Sequence, residues 1–202
     1  MIAAPARLAA ALLLVALAAL PLAAQAPTAP EPPEALARAH VSALVGAVHA
    51  ARIEDGDTPA ARARIRAAVA ESFDLALWRR AVLGERVGAF GATDLAAFDA
   101  ALPGYFAALY LRYFAGKAGR APEVGSVRPG RGDHFVAVAM RHEELGDLDL
   151  LYRVRVREGR AQVLDVIVGG ISFAIMHREE FGALIDRKGP AALVAYLDEN
   201  AI

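Results

Sequence analysis

The sequence predicts an α+β protein in which helices pack on one face of a curved antiparallel sheet. Apolar residues recur every three to four positions in the first half of the chain, as in amphipathic helices. In the second half they alternate with polar residues, as in strands, and helical spacing returns after Gly170. Helices, then strands, then helices are typical of a sheet that helices cover on one side.

The first 26 residues resemble a secretory signal peptide. Arg7 is their only charge, the run Leu8–Leu22 is almost entirely Ala, Leu and Val, and Ala24-Gln25-Ala26 fits the small-x-small cleavage rule. An uncleaved membrane anchor is the alternative, although the run is short for a bilayer span. We expect a Pro-rich flexible lead-in over residues 27–34 and one domain over residues 35–202.

The composition excludes several classes of protein. The formal net charge is −1, so no basic field favours nucleic acid. The chain has no cysteine, which excludes disulfides and a lipoprotein anchor on this sequence. We therefore expect a soluble exported domain that depends on its hydrophobic core for stability.

Four helices are predicted before the strands. The first begins at Ala35, and Thr58-Pro59 supplies an N-cap and a first-turn proline for the second. Asp74 caps a short third helix that ends at Gly84. A longer fourth helix covers 93–116, and Pro103 inside it should kink it.

The strand-forming half predicts a sheet built around a hairpin. Strands are expected over Val124–Arg128 and His134–Met140, followed by a hairpin over Leu148–Val168. Ser172 can cap the next helix, which Gly189 ends before Pro190 opens the last one.

The hairpin turn decides which side chains share a face. A type I turn with Gly159 as a G1 bulge is predicted, because Glu158 disfavours the left-handed backbone of a two-residue type I′ loop. This register places Asp165 on the arginine face, near Arg153. The two-residue alternative would bury Asp165 beside Tyr152. In the favoured register, two apolar sets share one face of the hairpin: Leu164, Val166 and Val168 on one strand, and Leu150, Tyr152 and Val154 on the other.

No catalytic or metal-binding motif is complete. His142 begins an HExxH-like stretch that lacks the second histidine, and the five histidines share no ligand spacing. Arg131-Gly132-Asp133 is interpreted as a charged turn. Asp165 is the one carboxylate that a cavity could use for acid/base chemistry, but the favoured register keeps it outside. We therefore expect no enzyme, no cofactor and no metal.

Three segments in the same order resemble the MlaC family of periplasmic phospholipid-binding proteins. They are Phe73–Gly84, the helix containing LPGYFAALYLRYF, and Val163–Gly189. The last is the most specific, and the resemblance covers about residues 35–197. Hopanoid-associated HpnM proteins are similar too, and Ala161 stands where the family usually has an aromatic residue. The last segment matches the family at Asp165, Gly170, Ile171, Ser172, Arg178, Phe181 and Gly189.

The resemblance implies a fold, a ligand and partners. The fold would be MlaC-like, an NTF2-like sheet and helices that enclose an apolar cavity for phospholipid tails. The protein would carry lipid through the periplasm between an outer-membrane lipoprotein–porin complex and an inner-membrane ABC transporter. This pathway maintains outer-membrane lipid asymmetry, and the family is also known for toluene tolerance.

The cavity lining was predicted from the apolar sheet face and from the aromatic helix around Pro103, because a space lined by apolar groups binds apolar ligands. A hopanoid carrier and an exported interaction module with a closed core are the alternatives. The predicted lipid-binding residues are Leu150, Tyr152, Val154, Leu164, Val166 and Val168 on strands, and Phe106, Leu109, Tyr110, Tyr113, Phe173 and Met176 on helices.

Overall fold

Helices and an antiparallel sheet follow one another in the predicted order. A computed structural model describes residues 31–114, 120–142 and 146–202, and the segment predicted as a signal peptide lies outside this part. Within these ranges, six α-helices surround a sheet whose strands are neighbours in chain order. The predicted α+β class is confirmed. No helix in the described part is long and apolar enough to span a bilayer.

The second and third helices begin at the predicted capping residues. Thr58 accepts a hydrogen bond from the Ala61 amide at 3.2 Å, and Asp74 accepts one from the Leu77 amide at 2.8 Å. A 3-10 turn follows the third helix, and the fourth contains Pro103 and continues into a π-helical turn. The elements are α1 Pro33–Asp55, α2 Pro59–Ser72, α3 Leu75–Leu83, the 3-10 turn Gly84–Ala89, α4 Ala92–Leu109 and the π turn Tyr110–Phe114.

The second half forms the sheet and the two last helices. Ser172 caps α5 by accepting a hydrogen bond from the Ile175 amide at 3.1 Å, as predicted. A two-residue edge strand just before this helix was not predicted. The elements are β1 Glu123–Pro129, β2 His134–His142, β3 Gly146–Arg157, β4 Arg160–Val168, β5 Ile171–Ser172, α5 Phe173–Lys188 and α6 Pro190–Glu199.

The main core lies between α1 and the sheet. α1 packs against β1, β2, β3 and β4, and its residues Val41, Leu44 and Val48 are almost fully buried. Leu150 and Tyr152 of β3 belong to the same apolar cluster. Each such side chain contributes roughly 1.5–3 kcal/mol when it is removed from water. The middle of the sheet is therefore covered by closely packed core.

The hairpin turn differs from the prediction. Arg157 and Arg160 pair across a two-residue loop in which Glu158 has φ 51° and Gly159 has φ 73°. Two positive φ values are typical of a type I′ turn, whose twist matches that of the flanking strands. The predicted G1 bulge at Gly159 is therefore wrong, and Glu158 adopts the left-handed conformation that we expected it to avoid.

A bulge inside β4 returns most of its side chains to the face of the sheet on which they were predicted. Val154 pairs with Val163 and Arg153 pairs with Asp165, so Leu164 is the extra residue. Val166 and Val168 still lie opposite Tyr152 and Leu150, as predicted. For Leu164 the prediction is wrong, because Val163 takes its place on the core face.

The carboxylate of Asp165 has a different partner from the one predicted. Its backbone pairs with Arg153, but its side chain accepts hydrogen bonds from the Ser172 hydroxyl and from the Ala174 amide, the latter at 3.0 Å. These groups begin α5, where exposed amides and the helix dipole favour a negative charge. Asp165 therefore joins β4 to α5.

Arg153 binds Asp133 of the Arg-Gly-Asp turn instead. Asp133 is 3% exposed and accepts hydrogen bonds at 2.7 Å from the Nε atoms of Arg153 and Arg155. Burial by itself would raise the pKa of Asp133, but the bonds from Arg155 and Arg153 outweigh it and lower the pKa below its usual range. The predicted charged turn is thus fixed to β3.

Glu158→Asn should stabilise the protein, because asparagine adopts positive φ more readily than glutamate and Asn-Gly is a preferred type I′ pair. We expect the free energy of unfolding to rise by roughly 0.5–1 kcal/mol in urea denaturation. Glu158→Ala, which removes the same charge without favouring positive φ, is the control and should give no gain. Equal effects of the two variants would contradict the observed turn.

Asp133→Asn should lower the free energy of unfolding at pH 7 by about 1–2 kcal/mol, since both arginines lose a charged acceptor but still reach solvent. The folded pKa of Asp133 is below its unfolded value of about 3.9, so the stabilisation by its ion pairs is fully present at a pH above the unfolded pKa. It is lost as the pH falls through the folded pKa. The difference between wild type and variant should therefore shrink in acid.

Urea denaturation between pH 7 and pH 2 measures this dependence. Asp57→Asn is the control, because the Asp57–Arg62 pair has the same chemistry on the surface, where the Asp57 side chain is 55% exposed. Its effect should be small at every pH. A pH-independent difference for Asp133→Asn would exclude the ion pair as the cause.

Candidate functional site

A cavity of about 380 Å³ lies at one end of the sheet, beside the C-terminal end of α4. The C-terminal end of α4 and the π turn form one side, and α5 and α6 form the other. Leu148 of β3 and Val168 of β4 form the floor. The volume is within the range of about 300–1,000 Å³ that small-molecule sites occupy.

Two other hollows of about 390 and 550 Å³ are less suited to an apolar ligand. Both are more open to solvent than the cavity at the end of the sheet. One has charged side chains such as Arg120, Arg141 and Asp147 on its rim, and the other lies beside the first turns of α1. The cavity between α4 and α5 is therefore the candidate site.

One wall of the candidate site is apolar. Met176 is 40% exposed at the mouth, whereas Leu109, Val168 and Phe173 are half-buried. These partly exposed side chains offer a surface that an apolar ligand can remove from water. The apolar wall consists of Ala108, Leu109, Leu148, Val168, Phe173 and Met176.

The other lining side chains are polar, and we call them the polar wall. Tyr196 donates a hydrogen bond from its hydroxyl to Glu180 at 2.9 Å, and Asn200 donates one to the Tyr196 carbonyl at 2.8 Å. Glu180 and Arg112 are exposed at the mouth, and Tyr113 is 36% exposed beside them. The polar wall consists of Tyr105, Arg112, Tyr113, His177, Glu180, Tyr196 and Asn200.

His177 is the buried centre of the polar wall. Its Nδ1 lies 2.7 Å from the Phe173 carbonyl oxygen, which can only accept, so this nitrogen carries the proton. Nε2 then accepts a hydrogen bond from the Tyr105 hydroxyl at 3.0 Å. Burial lowers the pKa of His177 and raises that of Tyr105, so both groups are neutral at pH 7. The pair holds α4 against α5 without adding a charge.

Five of the predicted lipid-binding residues line the cavity, namely Leu109, Tyr113, Val168, Phe173 and Met176. They belong to the ends of α4, β4 and the start of α5. The structure therefore brings together the predicted residues from helix and sheet at this end of the fold.

The other seven predicted residues do not line this cavity. Leu150, Tyr152 and Tyr110 surround a gap of about 10 Å³, which has room for about one water at most. Phe106, Val154 and Val166 are buried in the main core. Leu164 is buried outside that core cluster, at the bulge.

A buried pair of tyrosines joins the π turn to β3. The Tyr110 hydroxyl donates a hydrogen bond to the Tyr152 hydroxyl at 3.1 Å. Burial raises the pKa of both groups well above the ordinary value, so they stay uncharged. This bond satisfies two hydroxyls inside an apolar layer, as a closed core requires.

Sequence reasoning missed most of the polar wall, although one signal was available. Phe173, Met176, His177 and Glu180 are spaced three to four residues apart and therefore form one stripe of α5. The apolar part of this stripe was predicted and the polar part was not. Tyr196 of α6 and Asn200, which follows the end of that helix, are also four residues apart. The missed lining residues are Tyr105, Ala108, Arg112, Leu148, His177, Glu180, Tyr196 and Asn200.

Neither metal chemistry nor the Asp165 hypothesis gains support from this geometry. Within the described ranges, no three His, Asp or Glu side chains cluster in a way that could hold a metal ion. Asp165 is not among the residues that line the cavity. Its carboxylate is already bound to the start of α5.

Comparisons with known proteins agree with the fold. No curated protein matches the chain. Among solved structures, the chain is similar to the phospholipid-binding protein from Ralstonia solanacearum in complex with a phospholipid, with a TM-score of 0.66. The two are 16% identical, and the match covers 83% of this chain and 95% of that one. The family model described as MlaC protein matches residues 39–199, so this chain belongs to the MlaC family.

Proposed function

We propose that this protein is a lipid carrier that holds phospholipid acyl chains in the cavity between α4, α5 and the end of the sheet. The observation that carries this proposal is the partly exposed apolar wall, with Leu109, Val168, Phe173 and Met176 around one open space. Membership of the MlaC family supports it. So does the phospholipid bound by the similar Ralstonia solanacearum protein.

The energetics of acyl chains explain why a carrier needs such a wall. Transfer of one methylene from water to an apolar site stabilises by roughly 0.8 kcal/mol, so two acyl chains represent on the order of 20 kcal/mol. Desorption of the lipid into water is therefore very slow. An apolar cavity lets lipid move between two similar environments with little change in free energy.

The route that we propose follows from the predicted export signal. The protein would enter the periplasm after cleavage near Ala26 and would exchange lipid with an outer-membrane lipoprotein–porin complex and an inner-membrane ABC transporter. The protein would supply transport between the two membranes and the partners would supply the energy. Mass spectrometry of the protein from the periplasmic fraction can test the export step by identifying the mature N-terminus of the protein.

The open mouth of the cavity favours a carrier over an interaction module with a closed core. Tyr113 and Met176 are 36% and 40% exposed beside it, so apolar surface is available to a ligand. A hopanoid carrier is the second candidate, because its ligand is also apolar. Lipid extraction of the purified protein distinguishes the three, since phospholipid, hopanoid and no lipid differ in mass.

Val168→Trp should reduce the phospholipid that co-purifies with the protein at least severalfold, because a larger side chain at the floor fills the space of the acyl chains. Lipid extraction followed by mass spectrometry, normalised to protein, measures the load. Val168 is a better target than Val166, where a tryptophan would overpack the main core.

Ile175→Trp is the matched control. Ile175 is 65% exposed on α5 and does not line the cavity, so the same side chain there should leave the lipid load unchanged. Both variants should unfold within a few degrees of the wild type. Equal lipid loads in the wild type and in a folded Val168→Trp variant would exclude this cavity as the site.

A further inference from the structure

The mouth of the cavity places one negative and one positive side chain beside the apolar wall. Glu180 of α5 and Arg112 of the π turn both line the site, and both are exposed. The remaining polar groups of this wall are tyrosines, a neutral histidine and Asn200. Among the described residues that line the site, one charge of each sign is therefore present, and a ligand group with one charge of each sign would match them.

The negative side of the mouth suits a cation. Glu180 is held by the Tyr196 hydroxyl at 2.9 Å, which fixes its carboxylate at the cavity. The half-buried Tyr196, whose ring carries that hydroxyl, also lines the cavity. A carboxylate beside aromatic faces binds an ammonium group by a charge-assisted hydrogen bond and by cation–π attraction.

The positive side of the mouth suits a phosphate. Arg112 lies on the π turn that follows α4, close enough to Tyr196 for its charge to act on that residue. A guanidinium group offers paired donors that match two phosphate oxygens. Single-turn π segments occur often at functional sites, and this one brings Arg112 and Tyr113 to the mouth.

We propose that the polar wall selects lipids with a zwitterionic headgroup, in which a phosphate faces Arg112 and an ammonium faces Glu180 and the Tyr196 ring. This inference rests on the proposed function, because the acyl chains must occupy the apolar wall. A headgroup that carries only the phosphate charge places a net negative charge beside Glu180 without an ammonium to offset it. Zwitterionic lipid is therefore bound in preference to anionic lipid with the same chains.

A competition between two lipids tests the selectivity. Delipidated full-length mature protein is incubated with vesicles of equimolar phosphatidylethanolamine and phosphatidylglycerol with identical acyl chains, then separated from them and extracted. Mass spectrometry gives the total lipid per protein and the ratio of the two lipids. The wild type should favour phosphatidylethanolamine roughly threefold, the size expected from a partly exposed charge pair.

Glu180→Gln removes the charge but keeps an acceptor for Tyr196, so the fold should remain while the ratio falls towards one. Glu179→Gln is the matched control, because Glu179 is its exposed neighbour on α5 and does not line the cavity. Its ratio should equal that of the wild type.

The outcomes separate this inference from the proposed function. An equal ratio in the wild type and in a folded Glu180→Gln variant overturns the headgroup selectivity, and normal loading of the wild type then leaves the carrier function standing. An equal fall in ratio for Glu179→Gln also overturns it, because the cause is then the general charge of α5. Absence of both lipids from the wild type contradicts the carrier function itself.

Discussion

The position of α5 depends on the carboxylate of Asp165, and the cavity depends on the position of α5. Asp165 accepts hydrogen bonds from the Ser172 hydroxyl and the Ala174 amide, and Ser172 in turn accepts one from the Ile175 amide. The chain therefore leaves β4 through Gly169 and Gly170, whose φ values of 56° and 83° suit glycine, and begins a helix at once. This short path places Phe173 at the end of the sheet. Met176, His177 and Glu180, on the same stripe of α5, then line the α5 side of the cavity.

The fold combines a closed core with an open site by separating them along the sheet. α1 covers the middle of the sheet, and the Tyr110–Tyr152 hydrogen bond closes the layer at the point where α4 ends. Beyond that point the same sheet face continues with Leu148 and Val168, which line the cavity. The open site therefore does not reduce the packing that holds the domain together, and its wall can be exposed and covered as ligand leaves and enters.

The sequence was sufficient for the elements and for one apolar face, because caps, glycines and periodicity are local signals. Thr58, Asp74 and Ser172 all cap the helices that they were predicted to cap. The type I′ turn and the bulge at Leu164 could not be predicted. The turn shifts the register by one residue and the bulge shifts it back, so Val166 and Val168 lie on the same face with both features as with neither. The place of the cavity could not be predicted either, because it depends on which part of the sheet α1 covers. The MlaC resemblance was confirmed, whereas it gave no signal for the polar wall.

A carrier must hold its lipid firmly and still release it, and the two walls divide these tasks. The apolar wall offers a large stabilisation relative to water, but little of it is lost when the chains move to another apolar environment. Contacts of exposed groups such as Glu180 and Arg112 are worth only about 0.2–1 kcal/mol each, which is enough to bias the choice of lipid and too little to trap it. Buried charges at the same place would cost several kcal/mol when a headgroup leaves them unpaired. Exposure of the charged groups at the mouth would therefore make the proposed headgroup selectivity compatible with transfer.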